Sequence, residues 1–237
     1  MEKIDVVTTA IRRPILLDLT YQSFFKRIQN LPKVRIILNV DPIGDAKAED
    51  CLKIAKKYSD NVVFRSPNEP NFSASVNWCW SKIESAYFLH IEDDWLLKKT
   101  IEFTKWLNDL ITKNVAQSVL IMKRPRTSEK LAYSFRPHLG VKKNVISIPS
   151  IPEKLNPEKF LARKYFKMTS ADFSDAGPKT IEDMGRKWAK ANGLKKASCD
   201  QPEWFRKRMT NPLFKLEYQY FLLRWRYFSV YKYPKLN

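Results

Sequence analysis

Four short runs of aliphatic and β-branched residues punctuate the first 91 residues: "IDVVTT" (4–9), "VRIILNV" (34–40), "NVVFRS" (61–66) and "YFLHI" (87–91). Between them lie "ILLDLTYQSFFKRIQNL" (15–31), "DAKAEDCLKIAKKY" (45–58) and "SASVNWCWSKIESA" (73–86), whose apolar residues recur at helical spacing. The order is βαβαβαβ with short connections. Successive parallel strands need crossover helices, and those helices must bury their apolar faces on the sheet. The pattern therefore predicts an α/β domain with a mostly parallel sheet covered on both faces. In such sheets ligands bind at the carboxyl ends of the strands.

Polar residues collect at those ends. They are Thr8, Thr9 and Arg12 at the first run, Asn39 and Asp41 at the second, Asn68 and Asn71 at the third. The fourth run passes directly into Glu92, Asp93 and Asp94, within "FLHIEDDWLL". Adjacent carboxylates repel, and burying them without a partner is costly. Something positive belongs there: a divalent cation, or a basic side chain such as Lys98 or Lys99. Helix capping by the triplet is a further alternative. Asp41 precedes Pro42, so an Asx-turn suits it as well as a nucleoside contact.

Composition narrows the chemistry. The chain has 237 residues, 44% of them hydrophobic and 13% aromatic, enough for a substantial core. Cys51, Cys79 and Cys199 form no CxxC pair, which argues against a structural zinc site or a disulfide framework and suits a reducing compartment. With His90 and His138 as the two histidines, a His-based metal site is nearly excluded. There is no GxGxxG and no Walker loop, so dinucleotide and P-loop chemistry are disfavoured. The formal charge of +18 is uneven: residues 1–120 carry 17 Lys/Arg against 15 Asp/Glu, and the remainder 26 against 10. The basic half speaks of polyanionic partners, not of fold.

Beyond residue 100 the pattern loosens. "TIEFTKWLNDLIT" (100–112) reads as a helix and "SVLIMK" (118–123) as a strand; 124–157 is rich in proline and reads as loop. Helices are expected over 157–166 and over 180–193, the latter stopped by Gly193. The tail, 211–237, is basic and aromatic, with Leu213, Leu216, Tyr220, Leu223 and Tyr227 on one helical face. Surplus Trp and Tyr among Lys and Arg suit an anionic membrane surface or stacking on single-stranded nucleic acid. The N-terminus shows no signal-peptide core, and "YFLLRWRYFSVY" is too short and too charged to span a bilayer.

A βαβαβαβ half that ends in an apolar strand and an acidic triplet resembles the GT-A glycosyltransferases, nearest to the family-2-like group. "NEPNFSASVNWCW" (68–80) is similar to the Asn-rich segment and helix before that group's DXD strand, though its usual Gly is missing. "IEDMGRKWAKANGLKK" (181–196) is similar to its later "ED…R…G" helix. The resemblance spans roughly residues 4–196. It implies sugar transfer from a nucleoside-diphosphate sugar to an acceptor hydroxyl, assisted by Mn²⁺ or Mg²⁺ and inverting. It implies Asp94 and Glu92 at the metal, Asp183 as catalytic base with Asp172 and Asp175 in reserve, and Thr8, Arg12, Asp41, Asn71 and Asp93 on the nucleotide sugar. The expected organisation is a GT-A-like domain over 1–200, divided into a nucleotide-sugar half (1–123) and an acceptor half (124–200), then a basic aromatic extension (201–237). The expected acceptor is a glycan or glycolipid, and the expected setting is the cytoplasm, with the tail peripheral at a membrane. Two alternatives stand beside it: a nucleic-acid-binding protein without catalysis, and a glycosyltransferase acting on modified DNA bases.

Overall fold

The computed structural model describes residues 1–120, 135–146, 151, 173–175, 180–184 and 212–213. Strands β1 (Lys3–Ile11), β3 (Lys33–Asp41), β4 (Val62–Arg65) and β5 (Tyr87–Glu92) alternate with helices α1 (Pro14–Arg27), α2 (Ala48–Lys56) and α3 (Phe72–Ser81). The four strands run parallel, with β1 between β3 and β5. They are the core of a seven-stranded sheet. It is extended past β5 by β9 (His138–Val141), β8 (Gln117–Val119) and β10 (Phe173–Asp175). β9 is the antiparallel member; it pairs with both β5 and β8. The expected mostly parallel, doubly covered sheet is present.

Alternation of side chains along the strands sorts the core into two layers. Ile4, Val6 and Ala10 of β1 share one apolar cluster with Leu17, Tyr21 and Phe24 of α1, Cys51 and Ala55 of α2, and Trp106 and Leu110 of α4 (Phe103–Thr112). Val7, Ile37 and Phe88 point the other way, onto Val76, Cys79 and Trp80 of α3. α1 starts where Pro14 fixes its first turn, and its buried face follows as Leu16, Leu17, Thr20, Tyr21 and Phe24. α3 is capped by Asn71, whose side chain accepts from Ala74 N at 3.0 Å.

Three expectations need correction. First, the loop-rich 124–157 also holds regular structure. It supplies β9 and α5 (Lys142–Ile146), and Gly140 of β9 sits beneath Phe88, where a Cβ would come within 2.4 Å of the ring. Second, residues 181–183 are not a helix start but strand β11 (Ile181–Asp183), antiparallel to the short β6 (Trp95–Leu97). Third, the acidic triplet caps no helix, because β6 follows it directly. A further two-stranded pair joins β2 (Ile28–Gln29) to β7 (Ile101–Glu102), just before α4. The helix expected at 157–166, Asp172, and all of the tail but residues 212–213 lie outside the described residues. No described helix is long and apolar enough to cross a membrane.

Candidate active site at the carboxyl edge of the sheet

Register brings the strand ends to one level. Thr9 of β1 stands beside Asn39 of β3 and Glu92 of β5, and Asn39 stands beside Arg65 of β4. All four lie on the α3 side, two positions along their strands from Val7, Ile37, His90 and Val63. Ile11 pairs with Asp41 two rungs further on. The polar residues thus occupy the last rungs of the strands, not the loops after them.

Asp41 is a hub. Its Oδ1 accepts from Ser75 Oγ at 2.6 Å and Asn39 Nδ2 at 2.8 Å, and its Oδ2 from Asn71 N at 3.1 Å. Burial raises its pKa against these bonds. Asn71 is held beside it as the α3 cap, and Arg65 lies over the Trp78 ring at 5.7 Å. Thr8 and Thr9 separate. Thr8 faces α1, where its Oγ1 accepts from Tyr21 Oη at 2.9 Å, and it is fully buried. Thr9 faces the α3 side, and neither its hydroxyl nor Asn39 Oδ1 has a hydrogen-bond partner. Arg12 Nε is also buried without one. The backbone of Arg12 is fixed by Ile43, which accepts from its N–H at 2.9 Å. It is crowded by Gly44, whose positive φ of 104° suits the close approach to the Arg12 carbonyl.

The acidic triplet divides three ways. Glu92 Oε2 accepts from Trp95 Nε1 at 3.0 Å. Asp93 is buried and takes Arg13 Nη2 on Oδ1 at 2.6 Å, with Arg13 Nε at 3.2 Å and Ile11 N at 3.1 Å on Oδ2. Asp94 receives one bond, from Arg13 Nη2 to Oδ2 at 3.2 Å. Lys98 bridges to Glu182 at 3.5 Å instead of the triplet. The β6–β11 ribbon places Asp183 opposite Trp95, and Met184 N donates to the Asp94 carbonyl at 2.7 Å. Asp183 thereby stands within electrostatic reach of Asp94. Burial, then Asp93, then Asp183 push the Asp94 carboxyl up to about 7, against the pull of Arg13. The structure brings together Asp93, Asp94 and Asp183, with Glu92 at the same turn, and Asp41 with Asn71 at the neighbouring strand end. It turns Thr8 away.

Sequence reasoning named Arg12 but missed Arg13 and Arg65. The available signal for Arg13 was Pro14, which starts α1 and so fixes Arg13 at the strand–helix junction, facing the acids.

A hard cation fits this edge. Asp93 and Asp94 share the Arg13 guanidinium, Asp183 lies within electrostatic reach of Asp94, and the Asp94 carboxyl is raised first by burial and then by Asp93. No described group of three His, Cys, Asp or Glu could hold a metal unaided. The donor set therefore suits a cation whose remaining ligands come from phosphate oxygens and water.

No protein-family model matches the chain, and no curated protein matches it by sequence. Solved structures do. The mannosyltransferase PcManGT from Pyrobaculum calidifontis, in complex with GDP-Man and Mn²⁺, superposes with a TM-score of 0.60 at 11% identity, covering 75% of this chain and 55% of that one. Residues 1-349 of S. aureus TarS give 0.58 at 12% identity, over 79% and 61%. Glucosyl-3-phosphoglycerate synthase from Mycobacterium tuberculosis, with Mn²⁺, UDP and glucosyl-3-phosphoglycerate, gives 0.57 at 13%, over 84% and 77%. The chain spans little more than half the length of the first two. By this likeness the chain has a GT-A-like glycosyltransferase fold.

Proposed function

We propose that the chain transfers a sugar from a nucleoside-diphosphate sugar to an acceptor hydroxyl. The observation that carries this is the meeting of Asp94 and Asp183 through the β6–β11 ribbon, at the carboxyl edge of a GT-A-like sheet. The metal-bound, nucleotide-bound structures of its neighbours support the same chemistry.

The residues divide the work. Thr9, Asn39 and Asp41 line the strand ends where the nucleoside would lie, with Asn71 fixing the start of α3 beside them. Arg12, with its unpartnered Nε, offers a charge for the diphosphate. Asp94 would hold a divalent cation, with Glu92 beside it at the turn; such a cation would supply the positive charge that a departing diphosphate needs. Asp183 takes the proton of the acceptor hydroxyl as it attacks the anomeric carbon. A single displacement by that route inverts the centre. Asp175 ends β10 at the far edge strand, four strands from β1, and is a weaker base candidate than Asp183.

A thermal-shift screen of UDP, GDP, TDP and CDP with and without Mn²⁺ tests the reading, since a ligand of the folded state raises Tm. One nucleotide should give a manganese-dependent shift. Asp183→Asn should keep that shift and lose about a hundredfold to ten-thousandfold in turnover with the matching donor. No shift with any nucleotide, or normal turnover without Asp183, would refute the proposal.

A further inference from the structure

Neighbouring carboxylates on one turn would ordinarily both reach for a cation. Here one of them is already committed. Asp93 receives the Nε and Nη2 of Arg13 as a two-point fork, a third bond from Ile11 N, and a fourth, from Thr20 Oγ1, on its carbonyl at 2.9 Å. It is 3% exposed. Asp94 is touched by the same Nη2 at one oxygen, at 3.2 Å, and keeps its Oδ1. The guanidinium has a fixed origin. Arg13 N donates to Ile11 O at 2.7 Å, its carbonyl accepts the first helical bond from Leu17 N at 3.0 Å, and Pro14 follows. Strand end, helix start and acidic turn are thus tied through one side chain.

We infer that Arg13 is a positioning residue that reserves Asp93 for the protein and leaves Asp94 as the aspartate that meets the divalent cation. The inference rests on the metal reading above and goes beyond it, because it assigns the two aspartates opposite duties and names what separates them. A planar guanidinium holds a carboxylate at two points; an ammonium has the charge without the fork. Lysine at position 13 would therefore keep the electrostatic balance and release Asp93 to act as a second ligand. Added carboxylate donors tighten hard-cation binding.

Manganese binding to the full chain, alone and with the nucleoside diphosphate that gives the manganese-dependent shift, is read by electron paramagnetic resonance of the free ion. In the wild-type chain, Asp94→Asn should abolish binding, and Asp93→Asn should weaken it far less, only as far as the freed Arg13 competes for Asp94. Arg13→Lys should lower Kd on the order of tenfold by adding one carboxylate ligand, and Asp93→Asn in that background should return it to the wild-type value. Asp93→Asn weakening manganese as much as Asp94→Asn would overturn the inference, as would an Arg13→Lys chain that folds, by its circular dichroism, and binds as wild type does. If Arg13→Lys does not fold, the two single aspartate variants decide alone. A wild-type chain that binds no manganese, with or without the nucleoside diphosphate, defeats the metal reading itself, an outcome distinct from any difference among the variants.

Discussion

The two ends of the sheet use the same chemistry to opposite effect. At the amino end, Asp5 of β1 pairs with Arg35 of β3, Nε to Oδ1 at 2.7 Å, while its Oδ2 accepts from Glu84 N and Ser85 N at 2.6 and 2.8 Å. Arg35 also reaches Glu84 and the Lys82 carbonyl. Burial alone would raise Asp5, yet Arg35 and these N–H donors hold it below the usual carboxylate range. At the carboxyl end, Arg13 faces Asp93 and Asp94 with Asp183 nearby, and Asp94 is raised to about 7. One arginine satisfies its acids; the other is outnumbered. A balanced cluster fastens strands together, and a buried cluster short of positive charge is where the proposed cation would be held.

Neutralising one acid at each end is the strongest way to break this contrast. Asp5→Asn leaves Arg35 buried and underpaired, and should cost about 3–5 kcal/mol in urea unfolding while sparing manganese binding per folded molecule. Asp94→Asn should unfold at or above the wild-type midpoint, because it removes a charge from among like charges. Equal losses in both variants would show that both ends are structural.

Acidity sharpens the contrast with a smaller effect. Asp94 must lose its proton to bind a cation, so manganese affinity should level off above about pH 7 and fall about tenfold per pH unit below it. Stability runs the opposite way. Between the ordinary value of 3.8 and about 7 the folded carboxyl keeps a proton that the unfolded one has lost, so this group's contribution declines as pH rises through that window. A manganese affinity constant from pH 8 to pH 5 would remove Asp94 from the metal.

Midway between the ends, His90 and His138 stack at 5.1 Å across β5 and β9, both fully buried. Burial holds His138 to about 4 and His90 well below its usual range, with His138 adding repulsion for His90. Below about pH 6.5 the unfolded chain takes up protons that the folded pair refuses, so stability should drop by about 1.4 kcal/mol per pH unit for each histidine, down towards pH 4 for His138. Replacing both with leucine should flatten the slope of urea midpoints between pH 7 and pH 5; an unchanged slope would place the acid sensitivity elsewhere.

Legibility followed the range of the interactions. β1, β3, β4 and β5 are written in local β-branched runs, and α1 to α3 in their apolar spacing, so the parallel sheet and its polar edge could be read directly. β9 could not, because its four residues, "HLGV", centre on a glycine that weakens any strand signal. That glycine is there for Phe88, a partner far along the chain. β11 was masked for a similar reason: Glu182 and Asp183 look like the acids that open a helix, and only pairing with Trp95 and Leu96 makes them a strand. Arg12 and Arg13 are chemically identical neighbours. Which one is engaged depends on the turn between β1 and α1, and Pro14 is its one local sign.

The β6–β11 ribbon has a consequence for how this protein loses its competence. Its bond from Met184 N to the Asp94 carbonyl closes a chain segment that runs from 94 to 184, whereas β1, β3, β4 and β5 assemble within the first 92 residues. Completing the site therefore waits on this later part of the chain, where β9, β8 and β10 join the sheet ahead of β11, and not on the four-stranded core. Partial denaturation therefore has a cheaper route than global unfolding: opening the ribbon carries Asp183 away from Asp94 while the four-stranded core persists. Mild denaturant in such an arrangement separates Asp183 from Asp94 before the core unfolds.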